Sequence, residues 1–266
     1  MNANNLRRKP KRTVTLIAGF VCKDCIVVAS DSRTTYISSF GHTSRDDSFK
    51  IEEIQLANGS ALVAEAGHAN MSRRAIEMLN DAAKGQPMSD YRTVADMAQI
   101  VMRRLKNELR IQQCDCTVEQ LQAFISDYAW DFELMIAHYY QGKPYVFTID
   151  FLPGIACSHP QPFTAIGSGA ALANYILSWF KLSEMQPSEA LLAGLYLVQE
   201  VQKTDPFCGG LPKIGAVGPD KAKQKESVAI LKQWDFSKHL SRLQMMTAEA
   251  RAEFQKKLLE TIQNEK

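Results

Sequence analysis

The order of predicted elements points to an α+β chain in which two antiparallel sheets stack face to face between outer layers of helices, a four-layer αββα sandwich. Two observations carry this. Short runs rich in Val and Ile come in pairs joined by tight turns, the mark of β-hairpins. Amphipathic stretches also come in twos, so that strands, two helices, strands, two helices, a strand and a helix succeed one another.

Residues 13–21 and 25–30 read as strands joined at Lys23-Asp24, and residues 49–56 and 60–65 as a second hairpin around Asn58-Gly59. Residues 69–83 turn helical. Val94, Met97, Ala98, Val101, Leu105 and Leu109 recur at helical spacing, which predicts a second helix over 90–112. Residues 113–130 are irregular apart from a short helix over 118–126. A hairpin follows over 131–140 and 143–151, across Gln141-Gly142. A short strand over 164–167 leads into a helix over 169–180, Ser188 is expected to cap a helix over 189–203, and 227–233 is a late strand. Phe236, Leu240, Leu243, Ala250, Phe254 and Leu258 draw an apolar stripe along a C-terminal helical extension, residues 236–266. The helices also carry wide apolar faces (Met97, Val101 and Leu105 on one, Leu191, Leu192, Leu195 and Val198 on another), some of which are expected to serve association between copies. No repeat, linker or low-complexity segment interrupts the chain. It therefore reads as one domain over 13–235, preceded by a basic tail or propeptide over 1–12.

Composition narrows the function classes. Of 266 residues, 45% are hydrophobic and 23% charged, ordinary for a globular protein, and a formal net charge of +2 selects no polyanionic partner such as nucleic acid. No run of 18 apolar residues predicts a membrane span. The basic start, Leu6-Arg-Arg-Lys-Pro-Lys-Arg12, lacks the apolar centre of a secretory signal and reads as a solvated or cleaved tail. Six cysteines fit no disulfide framework in a chain this long, and free thiols suggest a reducing, cytoplasmic setting. Cys22-Lys-Asp-Cys25 brackets a hairpin turn. Without a second pair or histidines at set spacing it reads as two strand residues, not as a metal or redox centre. No metal and no cofactor is expected.

The chemistry-bearing pattern is spread along the chain. Thr15 starts a strand, Asp31 follows 16 residues later at the end of Ile26-Val-Val-Ala-Ser-Asp31-Ser-Arg-Thr-Thr35, and Lys50 lies 19 residues further in Phe49-Lys50-Ile51. Gly167-Ser168-Gly169 and Asp205-Pro-Phe-Cys208-Gly-Gly210 lie far downstream. A hydroxyl nucleophile needs a proton acceptor and a charge that steadies its alkoxide. Each residue alone has a plainer reading: Thr15 as a strand former, Asp31 and Lys50 as an ion pair, Ser168 as a turn residue, Asp205 as part of a helix C-terminal turn.

Taken in order, the five pieces resemble the proteasome β-subunit family of N-terminal-nucleophile (Ntn) hydrolases, including bacterial HslV-type and proteasome-like proteins, over roughly residues 13 to 235. The resemblance implies the αββα Ntn-hydrolase fold and a self-processed threonine peptidase or amidohydrolase. It implies Thr15 as nucleophile, Asp31 and Lys50 as its charged partners, Ser168 beside the freed amine, and Asp205 as a second aspartate. Cys208 stands where the family has a serine. It further implies Thr35, Glu65, Gly67 and Ala69 as substrate-binding positions, Gly67 offering an oxyanion N–H and Glu65 lying at the floor of the first specificity pocket. The implied partners are a peptide or protein substrate, other copies of the chain in a ring, and an unfoldase. Two departures stand out: Val14, not glycine, precedes Thr15, and Cys208 replaces serine. They favour an alternative reading, a non-catalytic ring subunit or binding scaffold. Thr13 is a rival nucleophile on the same strand face.

Overall fold

The computed structural model describes residues 15–38, 41–46, 48–87, 90–112, 117, 119–120, 131–151, 156–158, 160–220 and 225–231. The rival nucleophile Thr13, the basic tail, the short helix predicted over 118–126 (apart from 119–120) and the C-terminal extension lie outside them.

Two five-stranded antiparallel sheets form the centre. The first holds β1 (Leu16–Val21), β2 (Ile26–Ser30), β10 (Phe163–Gly167), β11 (Lys213–Asp220) and β12 (Lys225–Leu231), in the order β10-β1-β2-β11-β12. The second runs β5-β6-β7-β8-β9, from β5 (Ile51–Leu56), β6 (Gly59–Gly67), β7 (Phe132–Tyr140), β8 (Lys143–Asp150) and β9 (Ala156–Cys157). A separate hairpin, β3 (Thr34–Ser38) and β4 (Gly41–Arg45), projects between β2 and β5.

Period-two alternation sorts the side chains into three cores. On β1, Leu16, Ala18 and Phe20 face α3 (Ala170–Leu177) and α4 (Pro187–Gln202), meeting Ala173, Leu195 and Val198. Ile17, on the other face, packs with Val28, Ile51, Leu62, Ala64 and Met135 between the sheets. Ala61 and Val63 of β6 turn outward to α1 (Ala69–Ala83) and α2 (Tyr91–Gln112), onto Ile76, Leu79, Val101 and Met102. The result is the expected αββα sandwich. Each fully buried aliphatic side chain of these layers contributes about 1.5–3 kcal/mol of transfer free energy.

Local chemistry explains the element ends. The Gln141-Gly142 turn has φ of 49° and 74°, the left-handed pair a two-residue hairpin requires. Asp90 caps α2 by accepting from Thr93 N at 2.9 Å. Helix α4 starts earlier than the sequence suggested. Its cap is Gln186, in a reciprocal box with Glu189, and Pro187 occupies the first turn, so Ser188 lies inside the helix instead of capping it. Helix α3 stops at Leu177, short of the expected 180. Strands β3, β4, β9 and β11 were not anticipated. The apolar stripes on the helices are consumed within the protomer: Val101, Leu105, Leu192, Leu195 and Val198 are all buried core. Met97 and Leu191 of the same stripes are only partly buried against these cores.

Candidate active site

Strands β1 and β2 pair antiparallel, and Asp31 N donates to Leu16 O at 3.2 Å, which closes the open end of their hairpin. Thr15 and Asp31 thus sit side by side at one end of the first sheet. Lys50 enters from the second sheet at the start of β5. Because Ile17 and Ile51 share the inter-sheet core, the lysine is carried across to the threonine.

The three groups form one cluster. Thr15 Oγ1 donates to Asp31 Oδ1 at 2.6 Å. Lys50 Nζ donates to Asp31 Oδ1 at 2.7 Å and also to Thr15 Oγ1. Asp31 is fully buried and Lys50 is 6% exposed. A buried carboxylate is tolerable only when its oxygens are hydrogen-bonded. Asp31 meets this condition: Leu16 N donates to Oδ1 at 3.0 Å, while Arg33 N (3.2 Å) and Gly209 N (3.1 Å) donate to Oδ2. Burial pulls the Lys50 ammonium below the usual lysine range, and Asp31 opposes that shift.

The downstream motifs close over this cluster. Ser168 Oγ and Gly169 N both lie 3.3 Å from Thr15 O, as donors. Gly167 has φ of 93°, and a Cβ there would lie 2.2 Å from Thr15 O, so the close approach needs glycine. Helix α4 delivers the loop that follows it. Asp205 Oδ1 accepts from Phe207 N at 2.9 Å, and Asp205 Oδ2 accepts from Cys208 Sγ at 3.4 Å. Cys208 Sγ lies 3.9 Å from Ser168 Oγ, completing a polar chain from Asp205 to the Thr15 carbonyl. Burial, with Asp31 and Asp205 nearby, pushes the Cys208 thiol well above its ordinary range.

The remaining candidates border the cluster. Gly67 ends β6 with φ of 112°. His68 N bonds Asp131 O across to the β7 side, so strand alternation turns the preceding Gly67 N–H away from β7, beyond the last β5–β6 bond, Glu65 N to Lys50 O. Ala69 opens α1 and is exposed. Thr35 lies on β3 opposite Ser44, and its side chain lies outside the described ones. Glu65 is buried, with Oε1 at 4.0 Å from Arg73 Nη2 of α1. Its carboxyl is raised above the usual range, chiefly by burial.

Sequence reasoning passed over two braces. Arg33 Nε and Nη2 grip Asp46 at 2.7 and 3.0 Å, while Nη1 reaches Pro206 O at 3.1 Å, tying the stem of the β3–β4 hairpin to the 205–210 loop. Ser32 Oγ adds a bond to Asp46 O. Arg33 stood in view beside Asp31, but Asp46 falls where no element was predicted. Among the described residues no group of three or more His, Cys, Asp or Glu is placed to hold a metal. No described helix is long and apolar enough to cross a membrane.

Comparison with solved structures finds the same architecture elsewhere. Anbu (ancestral β-subunit) from Yersinia bercovieri superposes with a TM-score of 0.63 at 12% identity, covering 90% of this chain and 96% of that one. An Anbu mutant from Hyphomicrobium sp. strain MC1 gives 0.62 at 15% identity over 92% and 99%. Anbu from Pseudomonas aeruginosa, solved as a helical assembly, gives 0.61 at 16% over 91% and 96%. The chain has their fold. No protein-family model matches the sequence, and no curated protein does. At such low identity the likeness establishes the αββα fold alone.

Proposed function

We propose that the protein is a proteasome-like threonine peptidase or amidohydrolase that cleaves its own chain between Val14 and Thr15. One observation carries the reading: Thr15 Oγ1 is the shared contact of Lys50 Nζ and Asp31 Oδ1 in a buried cluster. A structural threonine at a strand start has no need of a buried cation on its hydroxyl.

Once freed, the Thr15 α-amine, with an ordinary pKa of about 7.7–8, accepts the hydroxyl proton near neutral pH. Oγ1 adds to the scissile carbonyl while Lys50 steadies the developing alkoxide and Asp31 aims Lys50. Gly67 N–H meets the oxyanion. The protonated amine returns its proton to the leaving amine, an ester to Thr15 remains, and water hydrolyses it. Cys208 takes the serine's part as a small hydrogen-bonding group. The substrate is a peptide or protein. The chain works as a homo-oligomer in a cytoplasmic setting, with an unfoldase feeding its substrate; assembly of the similar Anbu from P. aeruginosa supports the first of these.

Intact mass and N-terminal sequencing of purified protein test the reading. Mature wild type should begin at Thr15 and Thr15→Ala should keep its tail. Val14 in place of glycine favours the rival reading, a non-catalytic subunit. Full-length wild type after long incubation would decide for that rival, and a mature start at Thr13 would shift the nucleophile.

A further inference from the structure

The hairpin that presents Thr15 and Asp31 at its open end is closed at the other end by two cysteines that the proposed hydrolysis does not use. Cys22 N donates to Cys25 O at 2.8 Å across the exposed Lys23-Asp24 turn. The two sulfur atoms lie 3.0 Å apart on the same side of the hairpin, and Cys22 Sγ also lies 3.0 Å from Cys25 O. Both are buried against the layer of α3 and α4, under the 3₁₀ turn Leu182–Glu184, and Lys23 N is tied to Met185 O at 3.2 Å. Reduced thiols so placed have one productive partner, each other. No other described His, Cys, Asp or Glu joins them in a group able to hold a metal ion.

We propose that Cys22 and Cys25 form a dithiol–disulfide site that exchanges with a small-molecule disulfide. The two thiols are unequal. The Cys25 side chain hydrogen-bonds to Cys22 and draws the Cys22 thiol below its ordinary range, whereas the same bond holds Cys25 above it. Cys22, whose proton is the more easily lost of the two, makes the first attack. It displaces one thiolate from the incoming disulfide and forms a mixed disulfide. Cys25 then gives up its proton and attacks the Cys22 sulfur, releasing the second thiol. The carrier disulfide is reduced to two thiols and the protein dithiol is oxidised by the same two electrons. Val21, the chain neighbour of Cys22, lines a groove of about 630 Å³ with Pro162, Phe163, Phe180, Leu182 and Glu184. The bond would covalently close the hairpin at the end opposite Thr15, and it stands independently of whether Thr15 hydrolyses anything.

Glutathione disulfide is the probe. Reduced full-length protein is equilibrated in buffers of increasing oxidised-to-reduced glutathione ratio, quenched with acid, unfolded, alkylated and analysed by mass. The alkylation count should fall by two with no retained glutathione. Trypsin, which cuts after Lys23, should leave two peptides joined through Cys22 and Cys25 that separate on reduction. Cys25→Ser should instead hold a mixed glutathione adduct on Cys22. Unchanged alkylation at the most oxidising ratio overturns the proposal, as does a crosslink mapped to another cysteine or glutathione retained on wild-type Cys22. The Thr15→Ala variant should behave as wild type throughout, which separates this site from the peptidase reading.

Discussion

Lys50 and Glu65 face each other directly across the β5–β6 ladder, Glu65 N donating to Lys50 O at 3.1 Å, yet their side chains do not pair. Opposite charges at such a register ordinarily meet. Here Lys50 reaches instead to Asp31 at 2.7 Å, and the Glu65 carboxyl lies by Ser72 and 4.0 Å from the guanidinium of Arg73. Burial works on both, lowering the lysine and raising the glutamate. One backbone pair thus divides its charges, the cation to the threonine and the carboxyl toward Arg73 of α1.

Replacing Lys50 by alanine should cost activity far more than fold. Asp31 keeps four other donors, from Thr15, Leu16, Arg33 and Gly209. The stability loss should therefore fall below the ~3–5 kcal/mol typical of breaking a buried pair. Hydrolysis should fall by on the order of 10²–10³, the scale of losing a preorganised charge at a developing oxyanion. Peptidase assays beside thermal melts check both. Unchanged rates at matched stability would remove Lys50 from the mechanism.

Glu65 makes a stability prediction with a definite sign. Its folded pKa is raised, so between the ordinary carboxylate value and that raised value the native state holds a proton the unfolded chain has released. The contribution is fully present below the ordinary value and is lost as pH rises through the raised one. Wild type should therefore lose stability relative to Glu65→Gln across that window. Parallel denaturant melts from pH 4 to 8 measure the difference, and parallel curves would refute it.

Cys208 should not behave as a nucleophile. Burial beside Asp31 and Asp205 keeps it protonated near neutral pH, and a neutral buried thiol is inert. Iodoacetamide at pH 7.5 should leave activity unchanged over hours. Cys208→Ser should keep activity within about tenfold, since a hydroxyl can take over the bonds to Asp205 and Ser168. Rapid inactivation that maps to Cys208 would count against its role as a serine substitute.

Gly67→Ala should damage both fold and site. A Cβ there would stand 2.5 Å from Asp131 O and 2.7 Å from Phe132 Cα, and φ of 112° is one that side chains rarely adopt. Backbone strain of this kind costs on the order of 1–3 kcal/mol. The melting temperature should drop by several degrees with loss of hydrolysis, and an unperturbed melt would show that the strand end can relax.

The sheets and both helix pairs were legible because their signals are local. Asn58-Gly59 and Gln141-Gly142 specify turns, and the α2 stripe of Val94, Ala98, Val101 and Leu105 has one period. Strand β11 escaped because Gly215, Ala216 and Gly218 dilute its alternation, although Ile214 and Val217 are buried. The β3–β4 hairpin reads polar in Gly41-His-Thr-Ser-Arg45, so no buried face announces it. At the site, Thr15, Asp31 and Lys50 could be named from the resemblance that their ordered motifs carry. Arg73 could not, because its partners Glu52 and Glu65 lie on two strands and meet it only after α1 folds back over them. Ser188 misled because a good capping residue stood two places inside a box formed by Gln186 and Glu189.

Arg73 bears on specificity through its contact with Glu65. Arg33 and Lys50, the site's other cations, are committed elsewhere, Arg33 to Asp46 and Lys50 to Asp31. The cation beside Glu65 is Arg73, 4.0 Å away, shared with Glu52 at 3.7 Å, and its side chain is 55% exposed. Contacts this long and this exposed are worth at most about 1 kcal/mol, so a substrate cation can displace the arginine. If Glu65 floors the first specificity pocket, wild type should prefer Arg or Lys before the scissile bond, through charge-assisted bonds roughly twice as strong as neutral ones. Arg73→Ala should sharpen that preference by freeing the carboxylate. Glu65→Gln should erase it. Fluorogenic peptides with Arg, Leu or Glu at that position, compared by kcat/KM across the three proteins, give the answer. Leu cleaved best by all three would mean that Glu65 and Arg73 only support α1 on its sheet.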